Sequence, residues 1–303
     1  METHDTAGGW RLQLASDLHL EAFVGSFGLT RFQELLLEKY NAPGGEIPVL
    51  GECLALLGDI GYPTRDTYRE FLLQQAERFE TVFVVAGNHE FYAVGSVTPD
   101  YDETKARIRS ICSEAPKNNL HFLDRTSLLS RVSIVMTFMT VYLGFTLHRA
   151  TAFWDKSSSD YKKIFVIDAE TGQKRKSTVR DSVGWHEAAW LKEELAMAVE
   201  RGEKVVVLTH HAPTFEKTSS PKFTRSVMTS IYASDLAAMF GDPVVAWLFG
   251  HTHWSSTQKV GSTLVASNQA GYFNEAGSTN YDPFFCLSFP PSSSSDLPTL
   301  STS

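Results

Sequence analysis

Five short polar motifs contain the residue types that bind metal ions and transfer protons. They are Asp17-Leu18-His19, Gly58-Asp59, Gly87-Asn88-His89-Glu90, His210-His211 and Gly250-His251-Thr252-His253. Together they offer carboxylate and amide oxygens with imidazole nitrogens, a mixed set that suits zinc or another first-row divalent metal and not calcium. The set contains no thiolate, which argues against a structural zinc site.

Each motif alone also has an ordinary structural explanation. An aspartate after a glycine, as in Gly58-Asp59, can cap a helix. Two polar residues separated by one position are more informative, because side chains two positions apart point to the same side of an extended segment. Asp17 and His19 can therefore reach one ion together, and the same holds for His251 and His253.

Each motif follows a short apolar run that positions it. These runs are rich in Val and Leu, as in strands covered on both faces, and span 12–15, 54–57, 82–85, 205–208 and 244–249. Helical patterns lie between them, the clearest from Trp185 to Val199 before Gly202, with weaker candidates at 65–79 and 103–114. Alternation of strand, polar turn and helix predicts an α/β fold, in which ligand sites gather where strands end.

The composition limits the classes of partner. The chain has 303 residues, of which 43% are hydrophobic, and a formal net charge of -8. Such an acidic chain lacks the general attraction of basic proteins for nucleic acid, so we expect no stable nucleic-acid binding. The first residues carry no signal-peptide core, and the most apolar stretch, Val132 to Leu147, is shorter than the ~20 residues of a membrane span. We therefore expect a cytoplasmic protein that is not inserted in a membrane; the sequence does not predict its oligomeric state.

The order of the five motifs resembles that of the calcineurin-like metallophosphoesterase superfamily. The resemblance covers residues 17–253 and includes Ser-Asp-Leu-His-Leu-Glu, Leu-Leu-Gly-Asp-Ile-Gly, Gly-Asn-His-Glu-Phe-Tyr and Phe-Gly-His-Thr-His-Trp. It implies a four-layered α/β sandwich of two mixed β-sheets flanked by helices. We expect residues 1–289 to form this single domain and the Ser- and Pro-rich residues 290–303 to form a disordered tail.

The resemblance also implies a role for each matched residue. One metal ion would be held by Asp17, His19 and His253, the other by Asn88, His210 and His251, and Asp59 would bridge both. The metals would be two divalent ions chosen from Mn, Fe, Zn and Ni. His89 would lie beside the leaving group as the catalytic residue, and His211 and Arg149 are candidate substrate contacts.

Two positions depart from the phosphoprotein phosphatase branch of the superfamily. In that branch an Asp three residues after Gly-Asp orients the catalytic histidine, and an Arg follows Gly-Asn-His. Here these positions are Tyr62 and Glu90. Both differences argue against a phosphoprotein phosphatase, and they leave the partner of His89 unidentified.

The function implied is hydrolysis of a small-molecule phosphomonoester or phosphodiester, with a metal-bridging hydroxide as nucleophile. Two divalent ions bring four positive charges, and Asp17, Asp59 and the hydroxide remove three, so the remaining charge suits an anionic ester. Two alternatives stay open: the same metal pair acts on a pyrophosphate or a non-phosphorus electrophile, or the fold serves a non-catalytic binding protein. A mononuclear iron site fits less well because the ligands exceed one facial triad.

Overall fold

The computed structural model describes residues 9–22, 28–129, 134–138, 158–178, 181, 184–223, 229–275, 277–290 and 298–301. The strands are β1 (Trp10–Ala15), β2 (Cys53–Leu57), β3 (Thr81–Val85), β4 (Leu120–Phe122), β5 (Thr126–Leu129), β6 (Ile134–Phe138), β7 (Phe165–Ile167), β8 (Lys174–Lys176), β9 (Lys204–Leu208), β10 (Val244–Phe249), β11 (Ser256–Val260), β12 (Thr263–Ser267), β13 (Cys286–Phe289) and β14 (Thr299–Leu300). The α-helices are α1 (Gly28–Tyr40), α2 (Asp66–Arg78), α3 (Tyr101–Ser113), α4 (Asp160–Lys163), α5 (Gly184–Arg201) and α6 (Thr229–Tyr232).

Most of the strands form two mixed sheets. The first has the order β14-β13-β1-β2-β3-β4, in which β1 to β4 run parallel and β13 pairs antiparallel with β1. The second has the order β11-β12-β10-β9-β6-β5, with a parallel centre of β12, β10, β9 and β6 and an antiparallel strand at each edge. Strands β7 and β8 form a separate hairpin.

Alternation of side chains along the strands divides the core into layers. In β2, Leu54 and Leu56 join a cluster with side chains of α1, α2 and α3, whereas Ala55 and Leu57 pack between the two sheets. This is the period of two expected of a strand buried on both faces. The first sheet is therefore covered by helices on one side and by the second sheet on the other.

The second sheet repeats the pattern on its own two faces. Val206 of β9 points into the layer between the sheets, whereas Val207 packs with Leu191 and Leu195 of α5. Full burial of one such side chain stabilises the fold by roughly 1.5–3 kcal/mol. The resulting order of helices, sheet, sheet and helix confirms the predicted four-layered sandwich.

The predicted elements agree with the observed ones. All five apolar runs lie in strands, and the three predicted helices correspond to α2, α3 and α5. Helix α1 was not predicted. Within the apolar stretch 132–147 the structure describes only β6. The candidate substrate contact Arg149 lies outside the described residues. None of the helices in the described ranges is long and apolar enough to cross a membrane.

The expected disorder of the C-terminal tail is wrong for residues 298–301. Strand β14 pairs antiparallel with β13, where Leu287 lies opposite Leu300. The Ser301 N–H donates to the Cys286 carbonyl oxygen at 2.8 Å. The low apolar content of the tail does not prevent this pairing, because an open sheet edge offers backbone hydrogen bonds to any sequence. The domain boundary at residue 289 stays a prediction.

We expect deletion of residues 291–303 to lower the free energy of unfolding by about 1–2 kcal/mol, because it removes a few edge hydrogen bonds of about 1 kcal/mol each. For a chain of this size the loss corresponds to a drop in Tm of a few degrees, roughly 2–4 °C per kcal/mol. Activity should not change, because β14 is the edge strand of its sheet and β13 separates it from β1. Thermal unfolding and an esterase assay of the truncated chain measure both effects, and a large loss of activity would contradict the prediction.

Candidate metal centre

The carboxyl ends of strands from both sheets meet at one edge of the sandwich. Asp17 and His19 follow β1, Asp59 follows β2, Asn88 follows β3, His210 follows β9, and His251 and His253 follow β10. Loops at such strand ends carry functional groups on a rigid scaffold. The structure brings all seven of these side chains together in two clusters, which share this edge.

The backbone is strained at five of these positions. The φ angles of Asp17, His19, Asp59, His251 and His253 are 54°, 47°, 53°, 72° and 48°. This left-handed region costs a residue with a side chain about 1–2 kcal/mol. Strain of this kind concentrates at functional sites, where the surrounding structure holds it in place. The sharp turns aim successive side chains of one loop at the same point.

Two glycines allow the loops to approach each other. A Cβ atom on Gly87 would lie 2.3 Å from Asp59 Oδ1 and 2.7 Å from His210 Cε1. A Cβ on Gly250 would lie 2.8 Å from Asp17 Oδ2. All three distances are too short for a methyl group, so glycine is required for the carboxylates to occupy their positions.

The first cluster consists of Asp17, His19 and His253, whose ligand atoms lie within 4.8 Å of one another. The Nε2 atoms of His19 and His253 are 3.0 Å apart, and His253 Nε2 lies 3.5 Å from Asp17 Oδ1. Two nitrogen ligands of one ion at about 2.1 Å each can lie about this far apart. The cluster therefore fits a divalent metal ion.

The second cluster consists of Asp59, His210 and His251. His210 Nε2 lies 3.1 Å from Asn88 Oδ1 and 3.5 Å from Asp59 Oδ1, which adds the Asn88 amide to the set. His251 Nε2 is buried and has no hydrogen-bond partner among the described residues. Burial, aided by the neighbouring His211 and His210, holds the pKa of His251 well below its usual value. A neutral imidazole with a buried, unpartnered nitrogen is what a metal ligand requires.

His89 lies between the two clusters without joining either set of predicted ligands. Its backbone N–H donates to Asp59 Oδ1 at 2.8 Å, and its ring Nδ1 lies 2.7 Å from Glu21 Oε1. Burial lowers the pKa of His89, but the carboxylates of Asp59 and Glu21 outweigh burial and raise the pKa to about 9. The imidazole can therefore hold a proton close to the candidate metal site.

Glu21 is the partner of His89 that the sequence left unidentified. The same oxygen, Oε1, also lies 2.9 Å from His19 Nδ1. Burial raises the pKa of Glu21, but hydrogen bonds from His19 and His89 outweigh it and lower the pKa to about 2. An ionised carboxylate only accepts, so each imidazole donates from Nδ1 and its Nε2 faces the centre. Glu21 lies two residues after His19, so the sequence allows a prediction that it lies near His19. The sequence does not predict its contact with His89.

Three more residues hold the predicted ligands in place. Asn88 Nδ2 donates to Tyr92 Oη and to Asp160 Oδ1, both at 2.9 Å, which turns Asn88 Oδ1 toward His210. Glu275 Oε2 accepts from His253 Nδ1 at 2.5 Å. Such outer partners fix the orientation and tautomer of metal ligands. Tyr92 ends the stretch Gly-Asn-His-Glu-Phe-Tyr, but no role was predicted for it, and no motif marks Asp160 or Glu275.

Glu90 ties two loops together and is not a catalytic candidate in this geometry. Its carboxylate accepts from the backbone N–H groups of Asp59, Ile60 and Gly87 at 3.0, 2.8 and 2.7 Å. Burial, reinforced by the Asp59 charge, raises its pKa to about 7. Glu90 therefore positions the loops after β2 and β3, whereas the phosphoprotein phosphatase branch has an arginine here.

A cavity of about 400 Å³ opens over both clusters. Among the described residues it is lined by Asp59, Asn88, His89, Tyr92, Ser158, Ser159, Asp160, Ser219, Phe223, Ile231, Tyr232, His251, Thr252, His253, Tyr272 and Glu275. Its volume suits a small-molecule ligand. His211 is not in this lining: it is 2% exposed and its ring packs on His251 at 4.2 Å. A substrate contact by His211 thus has no geometric support, and Arg149 lies outside the described residues.

Comparison with known proteins identifies the family. The sequence profile of the calcineurin-like phosphoesterases matches residues 11–255. Uncharacterized protein L509 of Acanthamoeba polyphaga mimivirus is 27% identical over 286 residues, which cover 90% of this chain and 94% of L509. The crystal structure of phosphopantetheinyl hydrolase (PptH) from Mycobacterium tuberculosis superposes with a TM-score of 0.59 at 18% identity, covering 88% of this chain and 92% of that one, and so shares the fold. The chain belongs to the calcineurin-like phosphoesterase family.

Proposed function

We propose that the protein is a hydrolase of small-molecule phosphate esters that uses two divalent metal ions. The observation that supports this most directly is the pair of clusters at one cavity, one of which contains His251 Nε2, a buried atom without a hydrogen-bond partner in the described part of the chain. Divalent ions held there would supply positive charge for an anionic ester and activate water. A binding protein would not need an imidazole held by a carboxylate between the two clusters, as His89 is held by Glu21.

The protein's own residues would divide the work as follows. Asp17, His19 and His253 would hold one ion, Asn88, His210 and His251 would hold the other, and Asp59 would be shared between them. His89, oriented by Glu21, would supply the proton that the departing oxygen takes. Asp160 and Tyr92 keep the Asn88 oxygen turned toward the second ion. The cavity above the clusters admits the organic part of the ester.

A substrate and metal panel tests this proposal. Metal-free protein is reloaded with Mn, Fe, Zn, Ni or Mg and assayed with phosphomonoesters, phosphodiesters, nucleotides and pyrophosphates. A phosphopantetheinyl ester belongs in the panel because the mycobacterial structure is named for that substrate. We expect metal-dependent hydrolysis of at least one phosphate ester, abolished by a chelator. Hydrolysis of pyrophosphates alone, or of no phosphorus substrate by the fully loaded protein, would overturn the proposal.

We expect Asp160→Asn to weaken metal binding selectively in the second cluster. The new amide cannot accept from both Asn88 Nδ2 and Tyr92 Oη with the strength of a carboxylate, so the Asn88 oxygen is no longer held toward His210. Loss of such an outer partner typically costs about 10–100-fold in metal affinity. In a calorimetric titration of metal-free protein, one binding step should weaken and the other should stay.

Asp168→Asn is the matched control, because Asp168 lies on the turn between β7 and β8 and pairs with Arg175 at 2.7 Å. It should leave both binding steps unchanged. Equal weakening of the two steps in Asp160→Asn would mean that Asp160 supports the fold in general and does not orient Asn88.

A further inference from the structure

A tyrosine hydroxyl lies next to the ring nitrogen of His89 that the proposed reaction uses. The hydroxyl of Tyr272 is 3.1 Å from His89 Nε2. The other ring nitrogen of His89 already donates to Glu21, so Nε2 is the atom that exchanges a proton with its surroundings. Tyr272 is therefore the hydrogen-bond partner of Nε2, and Asp59 Oδ2 lies 4.0 Å from the same nitrogen.

The tyrosine is held in this position by its own loop. Its backbone N–H donates to Glu275 Oε2 at 3.0 Å, and its ring lies 4.2 Å from the ring of His19. The turn before it is made by Gly271, with a φ of 73°. A hydroxyl placed by a backbone hydrogen bond and a ring contact is preorganised, which is what a catalytic group needs.

Tyr272 is also more accessible than His89. Both residues line the cavity, but Tyr272 is 40% exposed and His89 only 9%. A departing group in the cavity can thus reach the phenol hydroxyl as well as the more deeply placed imidazole. The phenol hydroxyl carries one proton that it can donate to an alkoxide within hydrogen-bonding distance.

We propose that Tyr272 is a further catalytic residue, the last donor of a relay that runs from Glu21 through His89 to the leaving oxygen. As the P–O bond breaks, its electron pair stays on the leaving oxygen, which takes the Tyr272 hydroxyl proton. The phenol oxygen takes the proton from His89 Nε2, so the tyrosine ends neutral and the imidazole has lost one proton. The relay rests on the proposed function, since it requires a phosphate ester whose leaving group needs a proton.

Tyr272→Phe tests the relay with two classes of ester. Its rate should fall about 10²-fold with alkyl phosphate esters, the low end for a general acid, and less than about threefold with nitrophenyl esters. The double variant with His89→Ala should be no slower than His89→Ala alone, because both residues act in one step. The matched control is Tyr62→Phe, whose ring stacks 6.5 Å from that of His89 without lining the cavity in the described part of the chain.

A measurement on metal-free protein gives a readout independent of turnover. In ¹⁵N spectra the Nε2 resonance of His89 should shift in Tyr272→Phe and stay in Tyr62→Phe. An unchanged resonance in Tyr272→Phe would contradict the contact with His89. Equal slowing of Tyr272→Phe with both ester classes would contradict the relay and mean that Tyr272 binds the substrate. If His89→Ala shows the dependence on leaving group and Tyr272→Phe does not, the relay alone fails. If the loaded wild-type protein hydrolyses no ester, the proposed function fails and the relay fails with it.

Discussion

Asp59→Asn should remove measurable ester hydrolysis and weaken metal binding in both clusters. The Asp59 carboxylate is 2% exposed, and its Oδ1 lies 3.5 Å from His210 Nε2 and accepts from the His89 N–H at 2.8 Å. Burial raises the pKa of Asp59, but the imidazoles of His210 and His89 outweigh it and hold the pKa well below its usual value. The substitution removes a negative charge from the point where we propose that both ions bind.

The expected loss of metal affinity exceeds that for any residue that only orients a metal ligand. Outer partners of metal ligands cost about 10–100-fold in affinity, so a shared ligand should cost at least about 10²-fold at each ion. Elemental analysis and a metal titration measure the two sites, and the esterase assay measures turnover. The asparagine keeps the side-chain shape and can still accept from the His89 N–H, so the fold should be preserved.

Asp100→Asn is the matched control for a buried aspartate. Asp100 is 6% exposed and caps the N-terminus of α3, where it accepts from the N–H groups of Asp102 and Glu103. Asparagine caps helices about as well, so this variant should keep the fold, both metals and activity. One tightly bound metal at full occupancy, unchanged in Asp59→Asn, would contradict the dinuclear proposal.

The sequence predicted the strand ends because two local patterns coincide there. An apolar run such as Val82 to Val85 indicates a buried strand, and the polar group 87–90 that follows cannot continue it. Parallel strands bring such groups to one edge, so the proximity of Asp17, Asp59 and Asn88 follows from topology. These contacts need only parallel strands that end at one edge of a sheet, which the predicted α/β fold implies.

The supporting residues could not be predicted because each is a single polar side chain far along the chain from its partner. Asp160 contacts Asn88, which is 72 positions away in the sequence, and Tyr272 contacts His89, which is 183 positions away. Nothing in the residues around Asp160 distinguishes it from a half-buried aspartate such as Asp168. Its role appears only when α4 packs beside the loop after β3, which is a property of tertiary packing and not of local pattern.

Glu21, and not a residue three positions after Gly-Asp, is the carboxylate that contacts His89 Nδ1. Here that position is Tyr62, whose ring stacks 6.5 Å from His89. The carboxylate instead comes from the loop after β1, where it contacts both His19 and His89. One residue therefore couples a predicted metal ligand to the predicted acid, and a change at Glu21 should affect both.

His89→Ala should keep both metals and slow hydrolysis in a way that depends on the leaving group. The imidazole donates from Nδ1 to Glu21 and turns Nε2 toward the cavity, so we propose that it supplies the proton of the departing oxygen. An alkoxide leaves poorly without that proton, whereas nitrophenolate leaves readily as an anion. A general acid typically contributes about 10²–10⁴-fold in rate, and we expect a loss of that size with alkyl esters and a much smaller one with nitrophenyl esters.

His121→Ala is the control for loss of a histidine, because His121 lies in β4 and packs on Phe83 with ring centroids 6.0 Å apart. It should leave both rates and the metal content unchanged. Equal losses with the two ester classes in His89→Ala, with metals retained, would mean that His89 stabilises charge or positions the substrate. Loss of metal would mean that His89 is itself a ligand, because the candidate set His19, Glu21 and His89 also brings its ligand atoms within 4.8 Å of one another.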